Sequence, residues 1–454
     1  MKKISDSLPT KRITLTFVLL AASLLSACRL YPYTDVFEFP PPTVTFPPDE
    51  VSEPPQKLAG IATRHFTVAK NRGIVGGLAV ISTHEGDTLP DIARHFGLGY
   101  AEITLANPDV RPWTPQMNAR VLLPLQFILP DTPRQGIVVN LANMRLFYYS
   151  VKQPGTLFTY PIGIGRENWN TPLGQTTIIA KKANPVWAPP ESIRREHAEK
   201  GDPLPAVVPP GPDNPLGDYA LSLGFNSYLI HGTNKPYSVG MQATHGCVRL
   251  YPEDIKALFK KTSVGTRVRI VHQPYLVAWD GDRLYLEAHE PLEKWAGQKK
   301  QLQKSLLKKL HRTADQKGLA VDWKKVDRIL QRADGIPTPI LAPSLELPEL
   351  VATAPELQHP GQFYGQPVRV ELTDSNWALL VADFDNATRA QQLAMMLTHQ
   401  GPPIPAQKVE KNGIYQVIAG PFNKRKEAQS AALRINRDFE MDVKLLRPRT
   451  AGEP

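Results

Sequence analysis

The 454-residue chain has only two cysteines, Cys28 and Cys247. That scarcity excludes a disulfide-stapled scaffold and the closed zinc sites built from paired Cys-x-x-Cys ligands. Long apolar runs are equally scarce. The run near the start, "ITLTFVLLAASLL", is too short for a comfortable membrane span. Acidic residues number 43 against 53 lysines and arginines, a net charge of +10. Such a balance suits work beside anionic polymers, through attraction that is unspecific and screened by salt. What the chain has in excess is proline: 45 residues, clustered in Pro32 to Pro55, Pro185 to Pro215 and Pro337 to Pro360. Proline fixes φ and removes a ladder donor, so these clusters read as linkers or structured loops, and the length predicts two to four folded units.

The start carries basic residues from Lys2-Lys3 through Lys11-Arg12, then the apolar run, then "LSAC". Those three zones are the pattern of a secretory signal, and export excludes nucleic acid as a partner. Leu25-Ser26-Ala27-Cys28 resembles a bacterial lipobox. The resemblance implies that residues 1–27 are removed and that Cys28 carries lipid. With Arg29 next, it implies an outer-membrane anchor facing the periplasm, with residues 28–60 as a proline-rich tether. Cys247 would then be a lone thiol in an oxidising compartment.

Beyond the tether, Glu85-Gly86-Asp87 reads as a turn and Asp87 or Thr88 as a helix start with Pro90 in the first turn. Leu89, Ile92, Ala93 and Phe96 follow helical spacing, Gly97 ends the helix and "AEITLANP" begins a second. With the later strand "ARVLLPL" this makes a small βααβ unit. Over residues 79–125 it resembles a LysM carbohydrate-binding module, through Gly86-Asp87-Thr88-Leu89, Ile92-Ala93 and Asn107-Pro108.

From Gly136, "IVVNLANMRLFYYS" reads as a β-hairpin, and further strand signals continue to His272, predicting a mostly antiparallel β domain over 136–272. Residues 273–335, with leucines four apart in "QKKQLQKSLLKKL" and a stripe in "VDWKKVDRIL", read as a basic helical extension. Residues 336–370 read as a linker. At the C-terminus, "LLVADFDNATRAQQLAMML" and "QVIAGPFNKRKEAQSAALRI" superpose at an offset of 38, placing Phe384 over Phe422 and Ala390 over Ala428. Two strand-turn-helix halves would build one α+β sheet domain over 371–448. It resembles a SPOR domain, a family that binds glycan strands of peptidoglycan. The second half, "YQVIAGPF", carries the match; the first lacks the family's glutamine near Val381 to Phe384.

The chemistry concentrates in "YLIHGTNKPYSVGMQATHGCVRL". A strand ends at His231-Gly232-Thr233, and Cys247 follows sixteen positions after His231, inside Thr244-His245-Gly246-Cys247. Cysteine attacks as thiolate and needs a neighbouring base or cation, because its unperturbed pKa of ~8.5 leaves only a few per cent ionised at neutral pH. A histidine at a strand end, met again by a tight loop, supplies one. Gly246 lets the backbone approach a substrate, and adjacent N–H groups can hold an oxyanion. A buried structural thiol does not predict two nearby His-Gly pairs. A zinc site of His231, His245 and Cys247 lacks a fourth ligand, and a disulfide with Cys28 competes with lipidation.

The pattern His-Gly-Thr, a spacer, then Thr-His-Gly-Cys-Val-Arg-Leu resembles the signature of YkuD-type L,D-transpeptidases, with "TPLG" at Thr171 to Gly174 as a further match. It implies a YkuD-like β-sandwich, Cys247 as nucleophile and His231 as general base. Gly232, Thr244, His245, Gly246 and Arg249 would support the loop, the oxyanion site or a substrate carboxylate. No metal or organic cofactor is implied. The implied partners are peptidoglycan tetrapeptide stems and glycan strands. The acceptor would be a diaminopimelate amine, giving a 3→3 cross-link, or a lysine of an outer-membrane lipoprotein. Two alternatives stand beside this: an L,D-endopeptidase using water, and a catalytically silent peptidoglycan-binding scaffold. The proline-rich insertion from Asn184 to Gly217 is expected to wall the groove, with Trp187, Arg194 and Arg195 as contacts.

Overall fold

The computed structural model describes residues 57–448, apart from 59–60, 70–71, 167–168, 200–202, 368–369 and 374. The expected signal peptide, Cys28 and nearly all of the tether lie outside the described residues.

The βααβ unit forms as its pattern requires. Strands Ile74–Ser82 and Arg120–Ile128 pair antiparallel along their whole length. Between them, helix Leu89–Phe96 is capped by Thr88, whose side chain accepts from Asp91 N, and ends at Gly97 in the left-handed region. Helix Tyr100–Ala106 follows, with Glu102 Oε2 accepting from Gly99 N at 2.6 Å to close its first turn.

The central sheet has nine strands. From one edge they run Val248–Arg249, Leu229–His231, Tyr219–Leu223, Gly174–Ala183, Arg267–Val271, Gly136–Asn140, Arg145–Tyr149, Thr156–Pro161 and His65–Thr67. Most neighbours are antiparallel. The pairings of Leu229–His231 with Val248–Arg249 and of Arg267–Val271 with Gly136–Asn140 are parallel. The longest strand pairs with Arg267–Val271 through its first four residues and with Tyr219–Leu223 from Ile178 onward, its register against the latter shifting between Ile178 and Ala180. Both halves of the sheet contribute to one core, in which Ile137, Tyr148 and Ile270 meet Leu221, Ile230 and Val248, with Ile255 and Leu258 of helix Pro252–Lys261. The last strand of the sheet, His65–Thr67, comes from upstream of the βααβ unit, so the chain enters this sheet, leaves it and returns.

Every residue of Gly136–Asn140 and Arg145–Tyr149 is buried. One face lies in the core just described. Val138, Phe147 and Tyr149 on the other face pack against Leu89, Ile92, Phe96 and Leu123 of the βααβ unit. That unit is therefore docked on the sheet rather than tethered beside it. Each fully buried side chain of this size stabilises the contact by about 1.5–3 kcal/mol relative to exposure. Polar groups complete the seam. Arg64 Nε donates to Asp254 Oδ1 at 2.8 Å, and Arg94 grips Glu253 with two hydrogen bonds of 3.0 and 2.8 Å. The first N–H groups of helix Tyr100–Ala106 have no intrahelical partner; those of Tyr100 and Ala101 donate to the carbonyls of Val239 and Gly240. Gly240 has φ +87°, and a Cβ there would lie 2.3 Å from Tyr100 N, so only glycine admits this approach.

Two expectations need correction. Residues 273–335 are not simply helical: they open with an antiparallel hairpin, Tyr275–Asp280 and Arg283–Ala288, turning at Gly281 with φ +62°. Only then come the helices Lys299–Lys317 and Trp323–Arg332, which bury Leu306, Leu310, Val326 and Ile329 against the hairpin's Leu284 and Leu286. Residues 336–370 are not a free linker either. Helix Leu347–Ala352 and strand Glu356–Leu357 lie along the βααβ unit, the strand pairing with Val80 and Ile81, and Phe363 is buried in the unit's core.

The C-terminal domain is a four-stranded antiparallel sheet in the order Ala406–Lys411, Ile414–Phe422, Trp377–Phe384, Lys444–Leu446. Helices Ala387–His399 and Arg425–Phe439 cover it through Ala390, Ala394, Leu397, Ala428 and Ile435. Two strand-helix-strand halves build it, as the internal repeat predicts. It too is docked. His399 Nε2 lies 2.9 Å from Asp91 Oδ2 of the βααβ unit, and Lys235 Nζ lies 3.5 Å from Asp438 Oδ2.

Candidate active site

His231 ends strand Leu229–His231, and Cys247 immediately precedes strand Val248–Arg249. These strands run parallel, with Ile230 opposite Val248 and His231 opposite Arg249. Side chains alternate along a strand, so His231, Arg249 and Cys247 share one face of the sheet edge. The register thus brings together three residues that the sequence separates. Among the described residues no hydrogen bond links the Cys247 sulfur to His231. Sγ instead lies 3.8 Å from the carbonyl oxygen of Ser227 in the turn before strand Leu229–His231.

His231 is buried, with Nδ1 2.6 Å from its neighbour's carbonyl, Gly232 O. A carbonyl only accepts, so Nδ1 carries the hydrogen and Nε2 is left as the basic nitrogen. Burial, reinforced by the Arg249 guanidinium, pushes the His231 pKa down to about 3. The imidazole is therefore neutral across the physiological range. Burial also pushes the Cys247 thiol up, against the opposing pull of a Leu229 backbone hydrogen bond and of Arg249. Both shifts favour thiol and imidazole over thiolate and imidazolium. Proton transfer between them has to accompany attack on a substrate.

Arg249 is anchored by a 2.6 Å hydrogen bond from Nη1 to Ser238 Oγ, while its buried Nε has no partner. The guanidinium fork beside Cys247 is therefore only partly engaged.

The loop holding the thiol is braced from within. Thr244 Oγ1 donates to Cys247 O at 2.6 Å and accepts from Gly246 N at 3.2 Å, and Thr171 Oγ1 donates to Gly246 O at 2.8 Å. The Gly246 N–H is thus occupied in supporting the loop. Gly246 has φ +98°, and a Cβ there would come within 2.8 Å of the Tyr228 ring. Gly232 packs under the same edge, where a Cβ would sit 3.1 Å from Ile255.

His245, the neighbour in sequence, points elsewhere. Its Nε2 lies 2.9 Å from Arg166 Nη2 and 3.2 Å from Glu196 Oε2, with the Trp169 ring edge-on at 4.9 Å. Arg166 also makes an ion pair with Glu196. Burial lowers the His245 pKa, opposed by its hydrogen bond to Glu196 and joined by Arg166.

Glu196 belongs to helix Glu191–Glu199 of the proline-rich insertion, so the insertion reaches the Cys247 loop. The side chain that makes this contact is Glu196. Arg194 is exposed, Arg195 makes an exposed intrahelical pair with Glu191 at 3.7 Å, and Trp187 is held by backbone pairing with Val208. Glu196 has no local signature: "RREHAEK" carries charges of both signs, and nothing in it marks the one that turns inward. Among the described residues no group of three or more His, Cys, Asp or Glu side chains is gathered to hold a metal ion.

Comparison with known proteins gives two family matches: residues 134–270 match the L,D-transpeptidase catalytic domain, YkuD, and residues 373–440 match the SPOR domain. The chain is 41% identical over 276 residues to the probable L,D-transpeptidase ErfK/SrfK of Salmonella typhimurium, spanning 59% of this chain and 88% of that protein. It is 46% identical over 224 residues to the probable L,D-transpeptidase YbiS of Escherichia coli, spanning 48% of this chain and 72% of that protein. Against the probable L,D-transpeptidase YcfS of Escherichia coli it is 42% identical over 217 residues, spanning 46% of this chain and 67% of that protein.

Proposed function

Because the chain belongs to the L,D-transpeptidase family, we propose that Cys247 is the nucleophile it acylates and His231 the base that serves it. The support that carries most weight is the pinned tautomer. A neutral imidazole with Nδ1 bound to Gly232 O offers Nε2 on the face shared with the thiol. As Cys247 attacks the peptide carbonyl of a tetrapeptide stem, Nε2 takes the thiol proton. It then gives that proton to the departing D-alanine amine, leaving a thioester. An incoming amine attacks the thioester carbonyl, the C–S bond breaks, and the proton lost by the amine returns to sulfur through the same nitrogen.

Arg249, next to both residues and with its guanidinium fork only partly engaged, suits a substrate carboxylate. Thr244, Gly246 and Gly232 hold the loop in place, and His245 holds the insertion rather than the proton. The acceptor is a diaminopimelate amine or a lipoprotein lysine, so the product is a cross-link or a wall-anchored lipoprotein. The protein works in the cell envelope, and lipid on Cys28 would fix it to the outer membrane. The SPOR domain and the LysM-like unit contribute affinity for glycan strands.

Purified peptidoglycan incubated with the wild type or with Cys247→Ser, digested and weighed by mass spectrometry, tests the reading. New 3→3 dimers from the wild type alone are expected. Identical profiles would leave only a binding scaffold, and loss of existing dimers would select the endopeptidase. Palmitate labelling that persists in Cys28→Ala would remove the lipid anchor.

A further inference from the structure

The loop that joins His231 to Cys247 is gripped at two places by elements outside the matched catalytic domain of 134–270. Helix Tyr100–Ala106 donates to the carbonyls of Val239 and Gly240. The SPOR domain takes the earlier part of the loop. Gly401, between helix Ala387–His399 and strand Ala406–Lys411, has φ +56° and meets the loop so closely that a Cβ would lie 2.5 Å from Asn234 O. Arg434 donates to Pro402 O and ties that corner to helix Arg425–Phe439. On the same helix, Asp438 Oδ2 lies 3.5 Å from Lys235 Nζ, and Arg437 fixes the carboxylate with two hydrogen bonds of 2.8 and 3.2 Å.

From Lys235 a continuous set of bonds leads to the catalytic face. Lys235 O accepts from Ser238 N at 3.1 Å and from Ser238 Oγ at 2.6 Å. Ser238, 2% exposed, accepts in turn from Arg249 Nη1 at 2.6 Å. Its hydroxyl donates to one neighbour and accepts from the other, so a shift of Lys235 is passed on to the guanidinium. Arg249 shares the sheet edge with His231 and Cys247. The position of Lys235 depends on Asp438. Burial lowers the Lys235 pKa, Arg437 and Arg249 push it the same way, and Asp438 opposes them. Without that carboxylate, Lys235 would face two guanidinium groups and no acid of the SPOR helix.

We propose that the SPOR domain helps to set the active site: Asp438, acting through Lys235 and Ser238, positions the Arg249 guanidinium beside Cys247. The inference rests on the roles given to Cys247 and Arg249. A module that only holds glycan strands needs no contact with this loop, and its disturbance would not be felt by a soluble peptide. Asp438, Lys235 and Ser238 are positioning residues, and their effect on the reaction passes through Arg249.

The experiment uses the full chain with Asp438→Asn, Asp438→Glu or Ser238→Ala. D-alanine release is followed from a soluble tetrapeptide without glycan, so affinity for the wall does not enter. Alkylation at Cys247, read by peptide mass, is compared for iodoacetate and iodoacetamide. The first is an anion and the second is neutral, so their rate ratio reports the guanidinium beside the thiol. Removing a negative charge would by itself favour the anion. Displacing Arg249 does the opposite: in Asp438→Asn the ratio and kcat/KM are expected to fall about threefold, a modest loss because the paired side chains are 33% and 23% exposed. Ser238→Ala, which cuts the last bond to Arg249, should lower both about tenfold. Asp438→Glu should restore the ratio. A ratio that rises or stays level in Asp438→Asn, or an equal slowing with both reagents, overturns the positioning role. A ratio that falls in the variants while the wild type releases no D-alanine upholds it and overturns the transpeptidase role given to Cys247.

Discussion

Removing Glu102 should cost far more than a surface acid usually does. Glu102 lies on helix Tyr100–Ala106 of the βααβ unit, and its two carboxylate oxygens accept from Arg145 Nε and Nη2 at 2.7 and 2.6 Å. Arg145 sits in the central sheet with a side chain that is 0% exposed. Its other donors reach Gly97 O and Thr159 Oγ1 at 3.1 and 3.3 Å, and Phe127 lies 3.9 Å from the guanidinium carbon. In Glu102→Ala the guanidinium stays buried with no counter-charge, a loss of about 3–5 kcal/mol. The hydrogen bond to Gly99 N is lost as well, adding about 1 kcal/mol. Glu102 thus joins the unit to the sheet, and its removal should lower the energy of opening between them. Hydrogen exchange at the amides of Tyr100–Ala106 and Arg145–Tyr149 reads that energy directly, without requiring the whole chain to unfold in one step. In a double-mutant cycle with Arg145→Met, the two single costs should exceed the double cost by about 2 kcal/mol or more. A loss below about 1 kcal/mol in Glu102→Ala would mean that the pair behaves like an exposed salt bridge and that apolar packing alone docks the unit.

Three further outcomes follow from the site and the domain contacts. Alkylation of Cys247 by iodoacetamide should keep accelerating as pH rises past the ordinary thiol range, because burial raises its pKa; a rate already level at pH ~7.5 would show a resting thiolate and refute the neutral pair. Glu196→Ala should lower kcat/KM about fivefold and expose helix Glu191–Glu199 to protease. The estimate is small because the three side chains are 22–34% exposed, so their charges are partly screened; intact resistance and rate would show that the insertion closes without this contact. His399 is buried, which alone would lower its pKa, but Asp91 and the Met395 carbonyl outweigh burial and hold it above its ordinary value. A raised native pKa gives stability that is complete below pH ~6.5 and fades as pH rises through the native value. Exchange protection of Ala387–His399 should therefore fall between neutral and alkaline pH after correction for intrinsic rates, and that trend should vanish in His399→Gln. An unchanged trend in the variant would assign the pH effect elsewhere.

The parts of this molecule that were legible in the sequence are those written over short distances. Thr88, Pro90 and Gly97 mark the ends of one helix within ten residues, and the register that unites His231 with Cys247 is set by a loop of sixteen. Relations between domains have no such local signature. Arg64 and Asp254 are 190 residues apart, and each looks like an ordinary surface charge until the fold removes both from water. The same limit explains the docked segment after residue 336, whose prolines suit a linker and whose contacts come from short pieces: helix Leu347–Ala352, a two-residue strand and the ring of Phe363. The hairpin Tyr275–Asp280 and Arg283–Ala288 is a different failure. Its alternation and its Asp280-Gly281-Asp282 turn are plain in the sequence, beside a longer lysine-rich helix. Modules on tethers would leave the catalytic loop untouched, whereas a βααβ unit fixed by Glu102 and Arg94 also holds Val239 and Gly240, which lie in the loop between His231 and Cys247. A substitution at that seam, far from Cys247 in sequence, can therefore shift the loop on which the thiol is carried.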